Sequence, residues 1–125
     1  GKAVKEAQYH LKHSSDWLIR FGDGTEESHR RAQDALDALW TYTGDLFVQD
    51  DVQQTLVKAG IAPDLNAIKA SFDATVDRVL AEATLKRPTD GYMMTGGRQG
   101  KHSEHLGFLL AEMQYLQRAY PGAQW

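Results

Sequence analysis

Glu26, Glu27, Ser28 and His29 stand together in the stretch GDGTEESHRR, residues 22–31. Glu26-x-x-His29 has the spacing of one half of a carboxylate-bridged di-iron site, in which two isolated Glu and two Glu-x-x-His pairs converge inside a four-helix bundle to bind iron and activate oxygen. Glu6, on the preceding segment, could serve as the isolated carboxylate ligand. Such a site requires all its ligands at one level of the bundle, and here the spacing works against that. A turn at Gly22-Asp23-Gly24 folds the chain into a hairpin, so Glu26 and His29 stay close to its tip. Glu6 lies roughly 25 Å back along the first helix at a rise of about 1.5 Å per residue. Acidic residues in a first helical turn interact favourably with the positive end of the helix, which accounts for Glu26 and Glu27 without a metal. His29, followed by Arg30 and Arg31, then reads as solvated or partner-facing surface. Glu6, Glu26 and His29 are therefore metal candidates only in a degenerate sense, and no catalytic residue is assigned.

Two further patterns could do chemistry. His102-Ser103-Glu104-His105 places two imidazoles three residues apart, a spacing that can clamp a metal if a third ligand comes from elsewhere; capping or interface hydrogen bonding is the simpler role. Thr95-Gly96-Gly97-Arg98-Gln99-Gly100-Lys101-His102 is expected to run straight into a helix. Exposed glycine N–H groups, the positive helix end, Arg98 and Lys101 could together hold an anion such as a coenzyme A phosphate. It is not a P-loop, because Thr95 stands where that motif has Gly, His102 replaces Ser/Thr and no strand precedes it. A connecting loop is the plainer reading, and Gly96, Gly97, Arg98, Lys101 and His102 are kept as candidate partner or anion contacts. Tyr92, Met93 and Met94 just before it are apolar in a polar stretch and must either pack back on the protein or insert into a partner. No Gly-x-Ser-x-Gly elbow is present.

The elements that must position these residues are all helical. Val4, Ala7, Leu11, Ser14, Leu18 and Phe21 recur at three- and four-residue steps and predict a helix over residues 2–21. Asp23 or Thr25 caps the next one, which carries Ala32, Ala35, Leu36, Leu39 and Trp40 and ends before Gly44. The short turn makes the two an antiparallel hairpin. Asp50 opens a shorter helix stopped by Gly60, and Pro63-Asp64 opens a fourth with the stripe Leu65, Ile68, Phe72, Val76, Val79 and Ala83. Residues 86–101 are irregular. A last helix presents Leu106, Leu109, Leu110, Met113, Leu116 and Tyr120 before Pro121-Gly122 ends it. No alternating apolar pattern predicts a strand. The expected architecture is a single all-α domain over residues 1–125, a helical bundle.

With 125 residues and a net charge of −3, the chain is one domain's worth of sequence without the basic surface that nucleic acid or an anionic membrane would require. It has no cysteine, which excludes disulfides and thiolate sites, and no apolar run long enough to span a bilayer; a cytoplasmic location fits. The helical pattern is already running at "GKAVKEAQYHLKH", which is expected of a fragment entering in mid-helix.

The segments VKEAQYHLKHSSDWLIRFGDGTEESHRR, LDALWTYTGDLF, GIAPDL, VLAEATLKRP and GGRQGKHSEHLGFLLAEMQYLQRAYPGAQW closely resemble the ferritin-like, non-catalytic subunits of the bacterial phenylacetyl-CoA epoxidase (ring-1,2-epoxidase) complexes. The resemblance extends over essentially all 125 residues and corresponds to the C-terminal half of such a subunit. It implies membership of a multicomponent monooxygenase of aerobic phenylacetate degradation, which epoxidises the aromatic ring of phenylacetyl-CoA with O2 and electrons from NADPH. It further implies that the di-iron centre belongs to a separate catalytic subunit, and that the subunit matched here is its structural partner with no cofactor of its own. A half-bundle would leave an apolar face open, which dimerisation of the chain would bury. The competing readings are a di-iron oxygenase in its own right and a module binding coenzyme A phosphate through residues 96–101.

Overall fold

The computed structural model describes residues 1–124, and these contain helices and no strand. The all-α expectation is met: α1 Lys2–Gly22, α2 Glu26–Leu39, a 3-10 segment Trp40–Phe47, α3 Asp51–Lys58 and α4 Leu65–Glu82 are followed by a short 3-10 turn Gly97–Gln99, α5 His105–Met113 and α6 Tyr115–Ala119. Tertiary contacts divide the chain between Met94 and Thr95.

The starts of α2, α3 and α4 are set by side-chain caps, each satisfying a donor that the first turn leaves without a helical partner. The Thr25 hydroxyl accepts from the Ser28 N–H at 3.2 Å, the Asp50 carboxylate from Gln53 N–H at 2.7 Å, and the Asp64 carboxylate from Asn66 N–H at 2.9 Å. The helix expected to run through Trp40 to Gly44 instead tightens into 3-10 winding at Trp40. There the Thr43 hydroxyl donates to the Trp40 carbonyl at 2.8 Å, a local bond that competes with the α-helical ladder.

The core sits where α1, α2 and α4 meet. Leu80, Ala83 and Leu85 are buried, with Leu18, Ile19, Ala32, Leu36 and Val76 packed against them. Gly22 is the buried residue of α1. A Cβ there would lie 2.2 Å from the Ala83 carbonyl oxygen and 2.8 Å from the Ala83 Cβ, so α1 and α4 cross backbone to backbone. Just past the cap residue Ala83 the chain leaves α4 through Thr84, whose φ of +56° is the left-handed conformation common after a helix C-terminus. The Leu85 N–H returns to the Leu80 carbonyl at 2.9 Å and the Thr84 N–H to Ala81 at 3.1 Å, the pattern in which the chain leaves a helix abruptly.

From there residues 85–94 form a strap. Gln33 receives the Lys86 N–H and donates to the Lys86 carbonyl, both at 2.9 Å. Arg87 bonds Asp73 and Asp77 at 2.6 Å each, and its guanidinium lies 4.9 Å from the centre of the Trp40 ring. Trp40, 6% exposed, donates its indole N–H to Asp90 at 2.9 Å.

Thr95–Trp125, as far as it is described, contributes no residue to the buried core. The last helix, expected unbroken, is interrupted at Gln114 between α5 and α6. Short helices need tertiary packing to persist, and here nothing buried enforces continuity.

Two outcomes test this packing. Gly22→Ala should cost about 2–3 kcal/mol in urea unfolding, because the added methyl meets backbone that cannot yield. Lys69 first, then Arg87, hold the Asp73 carboxyl below its ordinary range through hydrogen bonds. A carboxyl depressed in the folded state adds stability above its unfolded pKa and loses it as pH falls through the lower folded value. Urea midpoints should therefore drop below about pH 4, and Asp73→Asn should flatten that part of the profile.

Candidate functional site

The first turn of α2 receives the end of α1. The last carbonyls of a helix have no partner within it. The Ser28 hydroxyl takes the Phe21 carbonyl at 2.8 Å, and His29 Nδ1 meets the Gly22 carbonyl at 2.7 Å. A carbonyl can only accept, so Nδ1 carries the hydrogen. The Thr84 hydroxyl donates to the same Gly22 oxygen at 3.2 Å and stands 3.4 Å from His29 Nδ1. His29 is thus half-buried and clasps α1, α2 and the end of α4, whereas the sequence placed it on a solvated or partner-facing surface. Sequence reasoning followed its neighbours Arg30 and Arg31, which do turn outward; Arg30 bridges Glu27 and Asp34 at 2.9 Å each.

Glu26 occupies the first position of α2 and is exposed. Glu6 is exposed in the second turn of α1, about 24 Å of helix from Gly22 at 1.5 Å per residue, and its carboxylate is 4.0 Å from His10. Glu6, Glu26 and His29 are not brought together. Among the described residues no group of three or more His, Asp or Glu is arranged to hold a metal ion.

The glycine-rich segment differs from its expected form. Gly96 and Gly100 adopt positive φ around the 3-10 turn, and the Lys101 N–H closes back on the Gly96 carbonyl at 3.0 Å, with the Lys101 stem packed over Gly96. The loop is closed on itself, and α5 begins only at His105. The expected direct run of residues 95–102 into a helix N-terminus is therefore absent, because the backbone bond at Lys101 ends the loop before helical winding starts. Arg98 lies in the short turn and His102 precedes α5. His102 and His105 consequently do not share a helix face, and His105 contacts the Glu104 carboxylate at 3.8 Å.

What the fold does present is an open apolar groove of about 790 Å³ within Gly1–Met94. Leu18 and Phe21 of α1, Ala35 and Leu36 of α2, and Val76 and Val79 of α4 line it. These are the apolar stripes read from the sequence, now seen to converge without being covered. Along the neighbouring flank of α1, Tyr9, His13, Trp17 and Phe21 form a ladder of ring contacts, and Arg20 lies 5.3 Å from the Trp17 ring centre. Beside this flank the Lys12 ammonium, by hydrogen bond, keeps the Asp16 carboxyl below its ordinary range.

Sequence reasoning missed Thr84, Gln33 and Asp90 as fixing residues. Gly is the common residue at a left-handed helix exit, so Ala83-Thr84-Leu85 gives no such signal.

The family model described as phenylacetic acid catabolic protein matches residues 1–125. The chain is similar to the C subunit of 1,2-phenylacetyl-CoA epoxidase from Escherichia coli (strain K12), with 48% identity over 124 residues. That match covers 99% of this chain and 50% of the relative, so the chain spans half the length of the curated relative it matches.

The clasp has a measurable signature. His29→Ala leaves the Gly22 carbonyl short of a partner and should cost about 1–2 kcal/mol of stability in denaturant titrations, whereas Glu26→Gln, at an exposed helix start, should cost under about 1 kcal/mol.

Proposed function

The chain belongs to the phenylacetic acid catabolic protein family, and on that premise we propose that it acts in aerobic phenylacetate catabolism as a non-catalytic, structural subunit of a phenylacetyl-CoA epoxidase. In this reading it pairs with and stabilises the subunit that bears the di-iron centre, in the cytoplasm, and holds no cofactor itself. The observation that carries the reading is the 48% identity to the C subunit of such an epoxidase, which runs through 124 residues.

The chemistry of the residues supports the non-catalytic role. An iron ligand must offer a free lone pair toward the metal. His29 donates its Nδ1–H to the Gly22 carbonyl, which leaves Nε2 as its one free lone pair, and the two carboxylates that would have to join it at a metal lie apart on exposed helix surface. The open groove and the aromatic flank of α1 support a role in assembly. Surfaces rich in apolar and aromatic side chains are what protein–protein interfaces cover.

The test is iron content of the full natural chain, purified apart from its partners and offered Fe(II) without oxygen, followed by co-purification with the di-iron subunit. The expected result is no stoichiometric iron together with a stable complex. Paired iron that disappears in Glu26→Ala would overturn the structural reading and make this subunit a di-iron protein in its own right.

A further inference from the structure

Two Asp-Gly pairs occur in the chain, Asp23-Gly24 and Asp90-Gly91. Such a pair carries a latent reaction. The glycine amide nitrogen, on giving up its proton, attacks the aspartate Cγ; a C–N bond forms, a carboxyl oxygen leaves as water, and a succinimide ring results. Water then adds to either ring carbonyl and breaks one C–N bond. The product is the original aspartate or isoaspartate, in which the backbone runs through the former side-chain carbonyl. No oxidant or second reactant is consumed. Glycine permits the reaction because no Cβ shields its nitrogen and its backbone turns freely.

The two pairs are held differently. The Asp23 N–H returns to the Ile19 carbonyl at 2.8 Å as the cap of α1. A Cβ on Gly24 would lie 2.6 Å from the Arg20 carbonyl oxygen and 2.7 Å from the Ser28 hydroxyl, so the backbone there is enclosed and has no room to turn. A Cβ on Gly91 would meet nothing within 4 Å, and Asp90 and Gly91 are exposed and lie outside any helix. Hydrogen bonds, not walls, stand against ring closure at this second pair. Asp90 Oδ1 accepts the Trp40 indole N–H at 2.9 Å, which fixes the rotation of the carboxylate. Trp40 cannot follow the carboxylate if it swings, because the ring is buried and the Arg87 guanidinium lies 4.9 Å from its centre. The Gly91 N–H, whose proton would have to leave, donates to the Thr89 carbonyl at 2.8 Å. Beyond it the Thr41 hydroxyl donates to the Tyr92 carbonyl at 2.7 Å, and Met93 packs on Gly44.

We propose that Asp90-Gly91 is a latent isoaspartate site guarded by the hydrogen bonds of its own strap, the Trp40 indole foremost. The reaction is internal to the chain and takes no partner or cofactor. Once it occurs it does not reverse structurally. Isoaspartate adds a methylene to the backbone and moves the carboxylate onto a shorter arm, so the buried indole N–H loses its acceptor, and an unsatisfied buried donor is costly. The modification forms when the tie opens and then keeps that tie from closing again.

The test ages the full natural chain at mildly alkaline pH, unmodified and as Trp40→Phe and Thr41→Val, and measures isoaspartate at each pair by peptide mapping after labelling with an isoaspartyl methyltransferase. Trp40→Phe keeps a ring beneath Arg87 but has no N–H to give Asp90. Thr41→Val loosens the strap without touching the buried indole, so it serves even where Trp40→Phe weakens the fold. In the unmodified folded chain both pairs should convert slowly, and in guanidinium chloride both should convert fast. Trp40→Phe should speed conversion at Asp90 by about tenfold, the factor set by one lost hydrogen bond, and Thr41→Val by less. Asp23-Gly24 is the internal control, since it converts faster only if the chain unfolds, and it should stay slow in both variants. A folded, unmodified chain that converts at Asp90 as fast as the denatured one would overturn the guard. So would a pair of variants neither of which raises conversion at Asp90 above that at Asp23.

Discussion

Two carbonyl groups, those of Phe21 and Gly22, are what the arrangement of Gly1–Met94 depends on. A helix that ends inside a protein leaves its last carbonyls without partners, and burying them unsatisfied costs on the order of 1–3 kcal/mol each. Ser28 and His29 meet them from the first turn of the following helix, and Thr84 adds a second donor to Gly22 from the end of α4. Because one acceptor is shared between α2 and the exit of α4, the hairpin and the fourth helix are fixed by the same atom. Gly22 must lack a side chain for the Ala83 backbone to come close enough for this to happen. Thr84 must accept a left-handed φ that a β-branched residue ordinarily avoids, and its hydroxyl bond to Gly22 is the compensation the structure shows.

The same geometry accounts for the most suggestive motif in the sequence. Thr25-Glu26-Glu27-Ser28-His29 has the spacing of an iron half-site, yet each member does local work. Thr25 caps α2, the glutamates occupy its first turn, and Ser28 and His29 close the end of α1. Spacing on a helix says which side chains share a face; it says nothing of what that face meets. That Glu6 lies far back along α1 from the hairpin tip could be read from helix length alone. That His29 turns inward to Gly22 could not, because it depends on a contact between helix ends.

Helix existence and type were legible for the same reason that caps are legible. Asp50, Asp64 and Thr25 act within three residues of themselves, and apolar stripes such as Val76, Val79 and Ala83 act through periodicity. What stayed hidden was non-local or competitive. Trp40 begins a 3-10 segment because a threonine hydroxyl competes for its carbonyl, and Lys101 closes a loop before a helix can start. The strap at residues 85–94 reads as an irregular tract in sequence. Its order comes from Gln33, Asp73 and Trp40, partners far away along the chain that no local pattern connects to it.

A buried cluster of Leu80, Ala83 and Leu85 sits where α1, α2 and α4 pack, with Trp40 and Val79 buried outside it, while apolar residues on the same three helices line an open groove. A frame so firmly tied at its hydrogen bonds and so incompletely covered at its apolar faces has a physical consequence. The polar ties set the relative positions of the helices, and they do so without needing the groove to be filled. Covering the groove would then add apolar burial at about 25 cal/mol per Å² to a surface already in position, with little further ordering to oppose it. The side chains that converge on the groove are mainly apolar, Leu18, Phe21, Leu36 and Val76 among them, with Glu27 and Arg31 also in its lining, so its covering would be driven chiefly by apolar burial.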